Sequence, residues 1–147
     1  MIEFNPIGIV HNDIAEAHRD TRWPEIVSEI EMDAQWRDAL DGLAEFSHIW
    51  VVTYLDRISA ASQRLPPKMR GGSPPVGIFA TRGPQRPNPI GICAAELLQV
   101  NGLTLRVRGL DALDGTPVLD LKPYLARRDA IKNTRVGAWA QEFGDCK

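Results

Sequence analysis

Ala95-Glu96-Leu97-Leu98-Gln99-Val100-Asn101-Gly102-Leu103-Thr104-Leu105-Arg106-Val107-Arg108-Gly109-Leu110 reads as two strands and a turn. Asn-Gly tolerates the left-handed backbone that two-residue hairpin turns require, so the stretch predicts a hairpin with arms 95–100 and 103–110. Strand signals continue on both sides. Ile7-Gly8-Ile9-Val10 is a short β-like run after Pro6. Ile26, Ser28, Ile30 and Met32 alternate with Val27, Glu29 and Glu31, the period-two pattern of a half-buried strand. Residues 46–55, Phe46 to Leu55, are apolar at both parities and predict a central strand. Pro117 to Lys122 supplies another. Asp33 is positioned to cap a short helix through Leu40, which Gly42 stops. Many short strands with turns between them predict a mainly β fold, an all-β barrel or sandwich with small helical additions.

Two stretches do not read as strand. Residues 57–75 contain Pro66-Pro67, Gly71-Gly72 and Pro74-Pro75 and predict a long loop, a feature that in a compact domain is usually either functional or disordered. Residues 126–147 are polar, with Val136, Trp139 and Phe143 as anchors for packing on another element or a second subunit. No internal repeat appears. The 147 residues are expected to form one domain with its core over about 6–125 and a C-terminal segment at 126–147.

A hydrophobic content of 44% and a charged content of 24% suit an ordinary soluble globule. No apolar run approaches a membrane span, and the N-terminus lacks the basic and apolar regions of a secretory signal. Cys93 and Cys146 suit reduced thiols, so a cytoplasmic location is expected. His11, His18 and His48 stand at no metal-ligand spacing, and no metal site is expected. His48 reads as a hydrogen-bonded structural residue in an apolar strand. No G-x-G-x-x-G follows a strand, and no P-loop or G-x-S-x-G elbow appears, which removes the common nucleotide and hydrolase motifs.

The charge distribution is uneven. From Arg57 to Ala95 there is no Asp or Glu, while Arg57, Arg64, Lys68, Arg70, Arg82 and Arg86 are basic. With a net charge of −2 overall, setting those six aside leaves −8 on the rest. Such a segment attracts phosphates or carboxylates locally, or else simply solvates the surface.

Inside it lies residues 76–91, Val76-Gly77-Ile78-Phe79-Ala80-Thr81-Arg82-Gly83-Pro84-Gln85-Arg86-Pro87-Asn88-Pro89-Ile90-Gly91. A β-like segment gives way to two arginines four residues apart, among prolines that fix φ and remove donors. Forked guanidiniums match carboxylate or phosphate, and the Asn88 amide offers a donor and an acceptor to the edge of a base. The alternative is a stiff turn whose arginines pair with structural carboxylates. A second constellation is residues 109–117, in which Asp111 and Asp114 either cap backbone amides or receive hydroxyls and an amino group. Asp120, Lys122 and Tyr124 continue that polar edge. A third is the strand end Asp56-Arg57, beside the basic stretch.

Phe79-Ala80-Thr81-Arg82 with Arg86-Pro87-Asn88-Pro89-Ile90-Gly91 resembles the signature of the TsaA-like family, best known for the TrmO tRNA methyltransferases. Pro6-Ile7-Gly8, Phe46 to Trp50, Asp111 to Thr116 and Asp120 to Tyr124 extend the resemblance in family order over about residues 6–125. It implies a single-sheeted β-barrel that binds S-adenosylmethionine (SAM) without a Rossmann fold. It further implies a homodimer with the site at the subunit interface, and methylation of N6 of threonylcarbamoyl-modified adenosine beside the anticodon of tRNA. Carried over by motif, the cofactor positions are Arg82, Ile92 and the turn Asp111, Ala112, Leu113 and Asp114, with Asp56, Arg57 and Arg22 as further candidates. Many members carry His-Gln where this chain has Asp56-Arg57, and Pro-Arg-Gln where it has Thr21-Arg22-Trp23. A C-terminal domain of long bacterial members is expected to be absent.

Within that resemblance Asn88 is expected to orient the target amine, with Asp111 or Asp120 as alternative catalytic acceptors. Arg86, Asn88, Lys122 and Tyr124 are expected to meet the substrate, Tyr124 by stacking on a base. Two other readings remain open: a methyltransferase of the same fold acting on a small molecule or another RNA, and a noncatalytic anion- or RNA-binding barrel.

Overall fold

A computed structural model describes residues 1–18, 20–65 and 75–141. It divides into two compact units, Met1–Asp56 with Ile90–Leu125, and Arg57–Pro89 with Ala126–Lys147. Strands number in chain order: β1 (Gly8–His11), β2 (Val27–Met32), β3 (His48–Tyr54), β4 (Arg64–Leu65), β5 (Val76–Gly77), β6 (Ile90–Asn101), β7 (Thr104–Arg108) and β8 (Pro117–Pro123).

The first unit is a closed barrel in the order β1-β2-β7-β6-β3-β8, antiparallel throughout. Closure leaves no unpaired edge among these strands. The inward parity carries the core. Val10, Ile30, Ile49, Val51, Leu105 and Val107 are fully buried, as the alternation in β2 predicts. The expected barrel with short helical additions is therefore the fold observed.

Several local expectations are corrected. The hairpin turn is Gly102-Leu103 rather than Asn101-Gly102, because Asn101 pairs with Thr104. Gly102 takes the left-handed φ of +59°, so the residue able to do so occupies the first central position. A bulge between Leu97 and Gln99 then restores the inward facing of Leu97 opposite Val107. The first arm begins at Ile90, not Ala95, and pairs with β3 through Tyr54↔Ile90 before reaching β7. Gly91 permits that early start: a Cβ there would run into Oγ1 of the buried Thr53.

The central position of β3 is observed between β6 and β8, but only one of its faces is buried. Ile49, Val51 and Thr53 point inward, while His48 and Tyr54 are exposed. The stretch Ala34–Leu40 is a 3-10 helix, followed by Gly42 at φ +80°. Asp33 makes no side-chain cap to its backbone; its Oδ2 accepts from Gln35 Nε2 at 3.2 Å instead.

In the second unit β4, inside the stretch expected to be loop, pairs with β5 just beyond it. Residues 66–74, with Lys68 and Arg70, lie outside the described residues. The β-like reading of 76–80 holds only for Val76–Gly77; Ile78–Ala80 is a 3-10 turn closed by Thr81 N–H to Ile78 O at 3.1 Å. Trp139 anchors the C-terminal segment by donating from Nε1 to Ala80 O at 3.0 Å. Val136 is exposed, and Phe143 and Cys146 lie outside the described residues.

Candidate functional site

The antiparallel order brings six strand termini to one rim of the barrel. These are the C-terminal ends of β1, β3 and β7 and the N-terminal ends of β2, β6 and β8. Asp56, Ile92 and the turn Asp111–Asp114 belong to this rim because they follow β3, begin β6 and link β7 to β8. Arg22 precedes the 3-10 turn Trp23–Glu25 leading into β2, and Gly109 N–H donates to Ile26 O at 2.9 Å beside that turn. Residues separated by about ninety positions in sequence are thus assembled by register alone.

The rim is chemically mixed. Ile92 is 53% exposed, and Ile90 and Tyr54 beside it are also exposed, an apolar outer surface flanked by carboxylates. Asp111 is exposed and has a partner within the protein. Ala112 is buried; its N–H donates to Leu110 O at 3.0 Å and its carbonyl accepts from Asn12. Leu113 O accepts from Thr116 N–H. Asp114 acts as a backbone cap, its Oδ1 accepting from Asn12 N–H at 3.0 Å. Arg22 is exposed and pairs with Glu25 at 3.3 Å.

His11 and Asn12 were not singled out by sequence reasoning, yet both face this turn. His11 Nε2 lies 3.1 Å from Glu31 Oε2 and its Nδ1 3.9 Å from Asp114 Oδ1. Asn12 lines a concavity of about 430 Å³ together with His11, Arg106 and Asp114. The available sequence signal is Asn12 two residues before Ile14, directly after a strand, which is the pattern of an Asx turn.

Asp120, Lys122 and Tyr124 do not gather at the rim turn. Asp120 and Lys122 pair at 2.7 Å on the outer wall, opposite Val52 and Trp50 respectively. Asp120 lines a separate cavity of about 600 Å³ near Trp36, Leu40 and Phe46. Tyr124 follows β8 toward the opposite rim, its ring 5.6 Å from that of Trp50 and 6.4 Å from that of His48. His48 is exposed, with Nδ1 2.9 Å from Ser47 Oγ.

Arg57, Arg82, Arg86 and Asn88 belong to the second unit. Arg57, Arg82 and Asn88 are exposed, the two arginines having protein partners. Arg86 is half-buried, and its Nη1 donates to the carbonyls of Thr81 at 2.9 Å, Ile78 at 3.3 Å and Gly83 at 3.4 Å. Its guanidinium also lies 5.8 Å from the centroid of the Phe79 ring. Among the described residues Arg86 pairs with main-chain carbonyls of its own loop rather than with carboxylates. Thr81 Oγ1 braces the same loop, donating to Ile78 O and accepting from Gly83 N–H.

These donors suit SAM chemically. Carboxylates at the rim turn match its hydroxyls and ammonium, and exposed Ile92 matches an aromatic base. Among the described residues no His, Cys, Asp and Glu cluster fits a metal ion, and no helix is long and apolar enough to cross a membrane.

Known proteins resemble this chain in sequence and in fold. A probable S-adenosyl-L-methionine-binding protein of Methanothermobacter thermautotrophicus is 43% identical over 133 residues, which span 88% of this chain and 95% of that one. The tRNA (adenine(37)-N6)-methyltransferase of Escherichia coli is 36% identical over 142 residues, 88% of this chain but 60% of the longer enzyme. The crystal structure of TrmO from Pseudomonas aeruginosa superposes with a TM-score of 0.74 at 30% identity, covering 93% of this chain and 62% of that one. Residues 10–130 match the tRNA-methyltransferase O N-terminal domain, and the chain belongs to that family.

Proposed function

We propose that the protein is a SAM-dependent methyltransferase acting on N6 of threonylcarbamoyl-modified adenosine next to the anticodon of tRNA. The observation that carries this reading is family membership over residues 10–130, joined to a barrel rim that collects Asp56, Ile92 and Asp111–Asp114. SAM, when bound, supplies an activated methyl group. The protein's task is then alignment of the acceptor nitrogen and removal of one proton.

In this reading the rim turn and Ile92 hold the adenosine part, and Arg82 receives the carboxylate. Asn88 orients the target amine by accepting its N–H. Asp111 is the alternative acceptor; Asp120 is less suited because Lys122 already engages it at 2.7 Å. Arg86 acts indirectly, by keeping the loop that carries Arg82 and Asn88 in shape. The exposed apolar row Ile90, Ile92 and Tyr54 supports a homodimer, in which a second copy removes that surface from water.

A second reading is favoured by one observation. The Methanothermobacter thermautotrophicus relative, matched over 95% of its length, is named for SAM binding alone. A methyltransferase of the same fold acting on a small molecule or another RNA fits that name equally well. Isothermal calorimetry with SAM tests the part common to both readings. Binding by the wild-type protein, weakened about tenfold or more in Arg82→Ala, is expected from loss of a charge-assisted contact. No measurable binding by the wild-type protein would overturn both readings and leave an anion- or RNA-binding barrel.

A further inference from the structure

We infer that Asn12 is the positioning residue of the SAM site, acting through the turn Asp111–Asp114. The inference rests on the SAM reading above. Within the turn, Ala112 N–H reaches back to Leu110 O at 3.0 Å, and Thr116 N–H to Leu113 O at 3.2 Å. Its end is tied to β1, where Gly115 N–H donates to Val10 O at 2.8 Å, and its middle to the loop after β1, about one hundred residues earlier.

Asn12 makes most of that connection. Its Nδ2 donates to Ala112 O at 3.0 Å and to Ser28 Oγ at 2.9 Å. Its Oδ1 accepts from Ile14 N–H at 2.9 Å, and its own N–H donates to Asp114 Oδ1 at 3.0 Å. Asp114 N–H returns to Ile14 O at 2.9 Å. The amide orientation is unambiguous, since Ala112 O can only accept and Ile14 N–H can only donate. Both amide protons are therefore spent inside the protein, which leaves Asn12 little to offer a ligand directly.

Ser28 gives Asn12 a second contact, separate from the one to the turn. It is 1% exposed, on the inward face of β2, and its hydroxyl ties the Asn12 amide to the barrel wall. The chain of contacts runs from wall to Asn12 to turn. A carboxylate side chain at position 12 would still accept from Ile14 N–H. It would also set an acceptor against Ala112 O and a second negative charge near Asp114. A serine there keeps a local acceptor but loses the two-pronged donor. Fixing a binding turn by partners locked in this way governs ligand affinity more than fold.

The test compares Asn12→Asp and Asn12→Ser with Ser28→Ala, which retains the donor to Ala112 O. Two readouts apply: amide hydrogen exchange without ligand, and SAM affinity by calorimetry with KM for SAM and for tRNA. In both Asn12 variants the Asp114 amide should exchange about tenfold faster while Leu97 and Leu105 are unchanged. SAM Kd and KM should rise about tenfold or more, with KM for tRNA within about twofold. Ser28→Ala should lower Tm while changing SAM Kd by less than about threefold. Unchanged exchange at Asp114 in Asn12→Ser would overturn the clamp. Faster exchange with unchanged SAM Kd would overturn its link to the cofactor. A wild-type protein that binds no SAM removes the function reading, and the exchange comparison still decides whether Asn12 holds the turn.

Discussion

Arg86 donates from Nη1 to the carbonyl oxygen of Thr81 at 2.9 Å, closing its own loop through a main-chain acceptor. A charged donor to carbonyl oxygens is worth about 1.5–3 kcal/mol, and the contact of the guanidinium with the Phe79 ring adds to it. Arg86→Ala is therefore expected to destabilise the protein by about 1–3 kcal/mol in urea unfolding and to speed proteolysis within residues 78–89. Arg86→Lys keeps the charge but not the fork and should recover less than half of that loss.

Gly91 and Gly77 differ in what a methyl group would meet. At Gly91 a Cβ collides with the buried Thr53 Oγ1 and lies 3.2 Å from Leu55 Cδ2, while at Gly77 nothing lies within 4 Å. Gly91→Ala should cost about 1–3 kcal/mol and Gly77→Ala less than about 0.5 kcal/mol, read from chemical denaturation midpoints. Equal costs would show that β3 and β6 do not approach as described.

Ile30 is fully buried on β2, between β1 and β7. Truncation removes transfer free energy and leaves a cavity, so Ile30→Ala should lose about 2–5 kcal/mol. Glu31, its exposed neighbour on the opposite parity, should tolerate Glu31→Gln within about 0.5 kcal/mol. Thermal unfolding of the two variants checks the parity of β2 directly.

This parity was legible in the sequence because Ser28, Ile30 and Met32 differ in polarity from the residues between them. Register was less legible. Asn101-Gly102 announces a turn, but whether Gly102 is its first or second central residue depends on a bulge that sequence does not mark. The early start of β6 at Ile90 was hidden by Gly91, which looks like a breaker until Thr53 is known to fill its space. The site divides similarly. Arg82, Ile92 and Asp111–Asp114 are candidates by motif alone, whereas the partners of Asn12 lie about one hundred residues away and no motif marks them. For Arg86, composition shows a guanidinium but not the carbonyls of Ile78, Thr81 and Gly83 that it meets.

Lys122 and Asp120 form an exposed pair, with side chains 66% and 46% accessible. Such pairs contribute at most about 1 kcal/mol, so Lys122→Ala should leave Tm nearly unchanged. If Lys122 meets an RNA phosphate, the slope of log K against log salt for tRNA should fall by about one unit. An unchanged slope would remove Lys122 from the substrate surface.

The most direct test is transfer of a labelled methyl group from SAM to tRNA that carries threonylcarbamoyl-adenosine but lacks its N6-methyl group. Nucleosides are separated and weighed after incubation with the purified protein. The account predicts label on N6 of the threonylcarbamoyl-modified adenosine, lost in Asn88→Ala and reduced in Arg82→Ala. SAM bound by the protein with no label on that nucleoside would contradict the assignment to tRNA.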